Sequence, residues 1–123
     1  MENNVNILVL QGGIVRDPEL TYTASGLAKS SFSIANNCVS YKNSTKEQEV
    51  NYFDVVAWGK LAEICGAYLK KGSKVIISGK IRQSRWKNEE GKSRSRITII
   101  AQDLKFLSSS RHSGYSPQRE KTA

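Results

Sequence analysis

Alternation of apolar and polar positions along the chain predicts a protein built mostly of β-strands. Apolar runs or alternating segments cover residues 4–10, 27–36, 51–58, 73–87 and 93–107. A period of two residues is typical of a strand that buries one of its faces. Between these segments, residues 43–48 are polar and predict a loop, and residues 88–92 predict a tight turn.

One segment has helical rather than strand periodicity and lies between the third and fourth strands. Gly59 ends the third strand, and apolar side chains then recur three and four residues apart, at Leu61, Ile64, Cys65, Tyr68 and Leu69. Such a stripe fits one face of a short helix. Lys70 and Lys71 suit its C-terminal end, and Gly72 suits the cap.

Five strands with one short helix between the third and fourth predict an all-β protein with a five-stranded OB-fold, a small Greek-key barrel. The fourth and fifth strands form an extended hairpin, and the pair Gly12-Gly13 permits a sharp bend or bulge in the first strand. A generic α+β sandwich is the alternative on pattern alone. The domain is expected to span residues 1–107. Residues 108–123 lack apolar periodicity and predict a flexible, basic C-terminal tail.

The long hairpin separates basic from apolar side chains, because neighbouring residues of a strand point to opposite faces. On the fourth strand, one face carries a large aromatic and two cations, Trp86, Lys80 and Arg82. On the returning strand, one face carries Lys92, Arg94 and Arg96. In the inner half of the hairpin the opposite, inward face is apolar and carries Ile77, Ile81, Ile97 and Ile99. The outer half carries charge on both faces, as a hairpin projecting into solvent would.

The third strand adds aromatic side chains beside this basic hairpin. One of its faces carries Tyr52, Asp54, Val56 and Trp58. The other face is assigned to the core and carries Phe53, Val55 and Ala57. Asp54 is unexpected on the first of these faces, because a carboxylate repels phosphate.

The charge distribution indicates a polyanionic partner, such as nucleic acid or an anionic membrane. The formal net charge is +8, and residues 80–100 hold seven Lys or Arg against two Glu. Cations attract phosphates and an aromatic ring stacks on an unpaired base, so the combination favours a single strand over a duplex. The structural alternatives are a merely solubilising surface, Trp86 packed on the stems of neighbouring cations, and ordinary core packing of Tyr52 and Trp58.

The remaining residues offer no catalytic, metal-binding or cofactor-binding pattern. Cys38 and Cys65 are spaced for neither a zinc site nor a redox motif, and we expect free thiols. No nucleophilic triad or phosphate-binding glycine loop is visible, and His112 has no partner motif. We therefore expect a protein that is not an enzyme. With no signal peptide and no apolar run near about 18 residues, we expect a cytoplasmic protein.

Several motifs, in order along the chain, resemble those of bacterial single-stranded DNA-binding proteins. They are RDPELTYTASG at residues 16–26, FSIA at 32–35, FDVVAWGKLAE at 53–63, YLKKGS at 68–73 and GKI at 79–81. Trp86 also falls where the family has a hairpin tryptophan. The resemblance covers residues 4–107, which is nearly all of the predicted domain.

The resemblance implies an OB-fold, usually assembled as a homotetramer, that binds single-stranded DNA without sequence specificity in replication, recombination and repair. It implies stacking of bases on Tyr41, Tyr52, Trp58 and Trp86. It implies phosphate contacts at Lys60, Lys70, Lys71, Arg82, Arg85, Lys87, Arg94 and Arg96, and Lys80 joins them as a neighbour on the Trp86 face. The family often has an aromatic residue followed by His-Arg where this chain has Tyr52-Phe53-Asp54.

The C-terminal end departs from the family pattern. Family members usually end in an acidic run closing with Pro-Phe, which recruits partner enzymes, whereas residues 117–123 read PQREKTA. We therefore do not expect replication and repair proteins to be recruited by that route. The leading hypothesis is a sequence-tolerant binder of single-stranded DNA. The alternatives are a protein-interaction or primosome-type accessory OB module with weak nucleic-acid binding, and an RNA-binding OB domain.

Overall fold

The computed structural model describes residues 2–107, which form six strands and one helix. In chain order these are β1 (Leu8–Ile14), β2 (Glu19–Tyr22), β3 (Ala28–Lys42), β4 (Thr45–Trp58), α1 (Gly59–Tyr68), β5 (Lys74–Lys87) and β6 (Ser93–Phe106). The predicted tail, residues 108–123, lies outside the described residues.

Five of the strands close into a barrel, which confirms the predicted OB-fold. The hydrogen-bonded order is β1-β5-β6-β4-β3, and β1 also pairs with β3 to close the ring. The β4–β6 contact is parallel and the other strand contacts are antiparallel. The short strand β2 pairs with residues 28–31 of β3 and is not among the five predicted strands. As predicted, the helix lies between the third and fourth strands of the barrel, β4 and β5.

β1 changes its partner at the glycine pair, where the sequence predicts a bend. Residues 8–13 pair with β5, and residues 13–14 pair with β3. A Cβ atom on Gly12 would collide with the carbonyl oxygen of Ala35, so only glycine lets the two strands approach this closely. The predicted start of this strand at residue 4 is wrong. Ahead of Leu8, the side chain of Asn6 bonds to the main chain of Ile81. Its Nδ2 donates to the Ile81 carbonyl oxygen at 2.7 Å, and its Oδ1 accepts from the Ile81 amide at 3.0 Å.

The predicted loop over residues 43–48 is also wrong, because β3 and β4 form one long hairpin. Their pairing continues from Lys29 opposite Trp58 to Lys42 opposite Thr45. Only Asn43 and Ser44 form the turn, with φ angles of 50° and 67°. Two consecutive positive φ angles are typical of the type I′ turn, which matches the twist of a hairpin.

The helix ends earlier than the predicted cap at Gly72. Helical geometry stops after Tyr68, since Leu69 is already extended, with φ −88° and ψ 145°. Gly72, with a φ of 93°, instead lies in a turn that the Ser73 amide closes on the Lys70 carbonyl, at 2.9 Å. The lysines at positions 70 and 71 therefore follow the helix and do not cap it. Tyr68, predicted in the packed stripe, is exposed.

The core fills the barrel beneath the helix. It consists of Ile14, Ala28, Phe32, Ile34, Val55, Ala57, Ala62, Cys65, Leu69, Val75, Ile77, Ile99 and Ala101. The assignment of Phe53, Ile81 and Ile97 to the buried side is wrong, because they are 38, 44 and 60% exposed. They lie on the inward row of their strands, but the strands extend beyond the end of the barrel, where nothing covers this row within residues 2–107.

The two cysteines are both free, as predicted. Cys38 is exposed on β3, whereas burial raises the pKa of the Cys65 thiol to about 11 and keeps it protonated at neutral pH. Within residues 2–107 no group of three or more His, Cys, Asp or Glu is arranged to hold a metal ion. The same region contains no helix that is long and apolar enough to cross a membrane.

Candidate nucleic-acid interface

Strand register gathers the predicted aromatic and basic side chains on one side of the barrel. In the β5–β6 pair, Trp86 lies opposite Arg94, and Arg82 lies opposite Thr98. Residues directly opposite each other in such a pair point to the same side of the sheet. The parallel contact between Val56 and Ile100 then joins this side to β4, and β4 joins it to β3. One surface therefore runs across four strands.

An open groove runs along this surface, and we call it the four-strand groove. Its solvent-accessible aromatic lining consists of Trp58 and Trp86, and the core residue Phe32 borders it from beneath. Its charged lining consists of four cations and two carboxylates, Arg16, Lys29, Arg82, Arg96, Glu19 and Asp54. The positive excess and the two tryptophans therefore lie in the same concave surface, as a ligand with phosphates and unpaired bases requires.

Trp86 lies in the outer part of the groove and is not part of the core. The side chain is 48% exposed and lines the groove together with Arg82 and Arg96. This agrees with the alternation along β5, which puts Trp86 and Arg82 on one face. The ring is accessible to a ligand, so the groove offers a stacking surface at this position.

Trp58 lies at the inner part of the groove, where β4 ends and α1 begins. It is half-buried, and the Nζ of Lys29 lies 5.5 Å from the centre of its ring. This distance is that of a cation–π contact, which restrains the lysine over the aromatic face. Sequence reasoning missed Lys29, because the contact depends on the β3–β4 register that sets Lys29 opposite Trp58.

Asp54 is paired inside the groove, which accounts for a carboxylate on this face. Its Oδ2 accepts a hydrogen bond from Nη2 of Arg96, at 3.0 Å, and its Oδ1 accepts one from the hydroxyl of Ser33, at 3.1 Å. This is the one ion pair within residues 2–107. The pairing joins β4 to β6 and β3, and periodicity along a single strand carries no signal for it.

Four further predicted residues lie on the same surface but outside the groove. Lys80 lines an adjacent depression with Trp58, and Arg94 lies opposite Trp86. Tyr52 is 66% exposed and lies opposite Ala35. Tyr41 is six residues beyond Ala35 on β3, and this separation corresponds to about 20 Å at the rise of a β-strand. The structure therefore separates the tyrosines from the two tryptophans.

The other five predicted phosphate contacts are not brought into the groove. Arg85 and Lys87 alternate with Trp86 and point from the opposite face of β5, although both border a depression at the outer end of the hairpin. Lys60 is exposed in the first turn of α1, and Lys70 and Lys71 follow the helix. In turn, sequence reasoning missed Arg16 and Glu19, which precede and begin β2 and border the groove.

Comparison with known proteins agrees with the fold and with the motifs. The single-stranded DNA-binding protein of Treponema pallidum is 43% identical over 106 residues, which are 86% of this chain and 60% of that protein. The protein of the same name from Borreliella burgdorferi is 42% identical over 107 residues, covering 86% of this chain and 72% of that protein. The chain thus spans less than two thirds of the length of the Treponema relative.

A solved structure described as "Plasmodium falciparum SSB complex with ssDNA" superposes with a TM-score of 0.80 and covers 87% of this chain and 98% of that one. Its sequence identity is 21%, so the likeness concerns the fold. The model of the single-strand binding protein family matches residues 5–107, which span the whole barrel. The chain therefore belongs to the single-strand binding protein family.

Proposed function

We propose that the chain binds single-stranded DNA without sequence preference and without chemical turnover. The observation that carries this proposal is the four-strand groove, in which Trp58 and Trp86 share one open surface with an excess of cations. The names of the relatives and the DNA complex of the structural neighbour agree with it. The proposal covers residues 1–107 as the binding domain and residues 108–123 as a basic tail that follows it.

The proposed mechanism divides affinity between phosphates and bases. Cations on the strand surface displace counterions from the DNA, so binding weakens steeply as salt rises. Trp58 and Trp86 each receive a base, and stacking contributes about 1–3 kcal/mol for each base. Duplex DNA keeps its bases stacked on one another, so its affinity for the protein comes only from the phosphate contacts. Backbone atoms of every nucleotide are alike, which makes such binding tolerant of sequence.

The proposed contacts fall into an inner and an outer set. The inner set follows from the groove and from the surface beside it. It consists of Trp58, Trp86, Arg82 and Arg96 in the groove, with Lys80 and Arg94 next to it. The outer set follows from the family resemblance and consists of Tyr41, Tyr52, Lys60, Lys70, Lys71, Arg85 and Lys87. A strand that bound both sets would follow the groove and then turn around the barrel or along the β3–β4 hairpin.

Titration of the intrinsic tryptophan fluorescence with oligo-dT tests the proposal. We expect strong quenching by the single strand, a steep salt dependence, and weak binding of a duplex of the same length. Equal affinity for the duplex would contradict the stacking mechanism. Weak binding of every nucleic acid would favour the protein-interaction alternative, and tighter binding of single-stranded RNA would favour the RNA-binding alternative.

We also propose that the chain assembles as a homotetramer. Phe53, Ile81 and Ile97 support this, because they are exposed apolar side chains on the face opposite to the groove. Apolar side chains gathered on one face are typical of a surface that a partner covers. Light scattering should give a mass near four chains, and Ile97→Glu should lower it. A monomeric wild-type chain would contradict the proposal.

The proposed cellular role is the protection of single strands during replication, recombination and repair in the cytoplasm, near the nucleoid. Replication and repair proteins are proposed as its partners. Deleting residues 108–123 separates the tail from this role, since oligo-dT affinity should change little if the groove carries binding.

A further inference from the structure

The Asp54–Arg96 pair places a carboxylate where the proposed ligand carries phosphates. Asp54 is 47% exposed in its side chain and Arg96 is 64% exposed, so both are accessible from the groove. A DNA strand that reaches Trp86 also reaches this pair, because all three residues line the same groove. The carboxylate oxygen and a phosphate oxygen are both anionic acceptors of guanidinium hydrogen bonds. They are therefore competitors for the same donors.

The other cations of this surface have no such partner. Within residues 2–107, no carboxylate lies within ion-pairing distance of Arg82 or Arg94. Arg96 thus differs from its neighbours in meeting an internal anion before any DNA arrives. Ser33 holds the second oxygen of Asp54 at 3.1 Å, which keeps the carboxylate in the groove.

We propose that Asp54 is an internal competitor of DNA phosphate for Arg96 and lowers the affinity of the groove for single strands; the inference rests on the proposed function. In the free protein Arg96 is neutralised by Asp54, so the pair contributes almost no net charge to DNA attraction. On binding, the guanidinium turns to a phosphate and leaves Asp54 to Ser33 and water. An exposed ion pair contributes little to stability, so this exchange is cheap. The result is a strand that dissociates more readily from the protein.

Asp54→Asn tests the competition, because it removes the charge and keeps an oxygen that accepts from Ser33. We expect oligo-dT to bind about five-fold more tightly at low salt, from one fewer repulsion near contact distance. The plot of log affinity against log salt should become steeper by about 0.7, the value for one more neutralised phosphate of a single strand. Anisotropy of labelled oligo-dT measures both quantities. Asp54→Ser, a second uncharged variant, should behave alike.

A cycle with Arg96 separates competition from simple positioning. Arg96→Gln should weaken binding, and the double variant Asp54→Asn/Arg96→Gln should return close to the wild-type affinity. Arg94→Gln is the matched control on the same face. It should weaken binding by the same factor in the wild-type chain and in the Asp54→Asn variant. If Asp54 instead positions Arg96 for DNA, Asp54→Asn binds more weakly than wild type, and the inference is wrong.

Two further measurements distinguish a failure of the inference from a failure of the proposed function. They are the binding of oligo-dT by the wild-type chain and the comparison of oligo-dT with oligo-dC. A wild-type chain that fails to bind oligo-dT contradicts the proposed function itself, whereas normal wild-type binding with no gain in Asp54→Asn contradicts only the competition. The gain should be the same for oligo-dT and oligo-dC. A gain confined to one base would mean that the carboxylate reads base edges, as it can at the cytosine amino group, and would overturn the inference.

Discussion

Replacing Trp86 with alanine weakens the binding of single-stranded DNA by about 1–3 kcal/mol, roughly 5- to 150-fold in affinity, and leaves the barrel folded. The ring is 48% exposed, lines the four-strand groove and is not among the core residues. Its removal takes away a stacking surface without opening a cavity in the core. Anisotropy of labelled oligo-dT gives the affinity, and circular dichroism on heating gives the melting midpoint.

An exposed aromatic outside the groove supplies the control for this experiment. Tyr68 is 67% exposed at the end of α1, where its ring makes an edge-to-face contact with Phe106 at a centroid distance of 6.4 Å. Tyr68→Ala should therefore leave oligo-dT binding unchanged. If Trp86→Ala binds normally but melts at a much lower temperature, the tryptophan serves packing and the stacking mechanism is wrong. Trp86→Phe, which keeps a smaller ring, should retain part of the lost affinity.

Alternation along one strand was enough to predict which side chains of that strand share a face. It depends only on residues two apart pointing the same way, and this holds for Trp86 and Arg82 on β5. Contacts between strands could not be predicted in this way. Lys29 over Trp58 and Arg96 on Asp54 depend on register, which is fixed by turns and by the closure of the barrel.

The same distinction explains the errors in the predicted fold. The order and length of the apolar segments predicted the barrel, but they did not predict the part of the β3–β4 hairpin that extends beyond it. Residues 41–51, at the outer end of the β3–β4 hairpin, are exposed, so no face is selected for apolar side chains and periodicity carries no strand signal. Conversely, Phe53 and Ile97 have the inward parity of core residues without being buried. The odd or even position of a residue along its strand determines the face to which its side chain points. Whether that side chain is buried depends on where the barrel ends.

Two adjacent glycines give the second large prediction, with opposite outcomes for the same substitution. A Cβ atom on Gly12 would collide with the Ala35 carbonyl oxygen and lie 2.8 Å from Cγ1 of Ile34, so β1 and β3 would have to separate. A Cβ atom on Gly13 would meet only the Ser73 carbonyl oxygen, at an ordinary 3.8 Å. We expect Gly12→Ala to cost about 3 kcal/mol or more in the free energy of unfolding, because backbone cannot move aside like a flexible side chain. Gly13→Ala should be neutral, or stabilising by about 0.4–1 kcal/mol through the unfolded chain.

Thermal melting of the two variants distinguishes a steric requirement from a general need for flexibility at the bend. A loss of about 3 kcal/mol corresponds to a midpoint lower by more than about 10 °C for a domain of this size. If both variants lose stability equally, the bend needs the backbone freedom of both glycines, and close strand approach is not the cause.

Gly79 has the same steric requirement as Gly12. A Cβ atom there would collide with the Ile100 carbonyl oxygen, beside the bulge that shifts the β5–β6 register. Gly79→Ala should therefore destabilise the barrel as Gly12→Ala does. It should also weaken oligo-dT binding, because the hairpin that carries Trp86 leaves the barrel at this point.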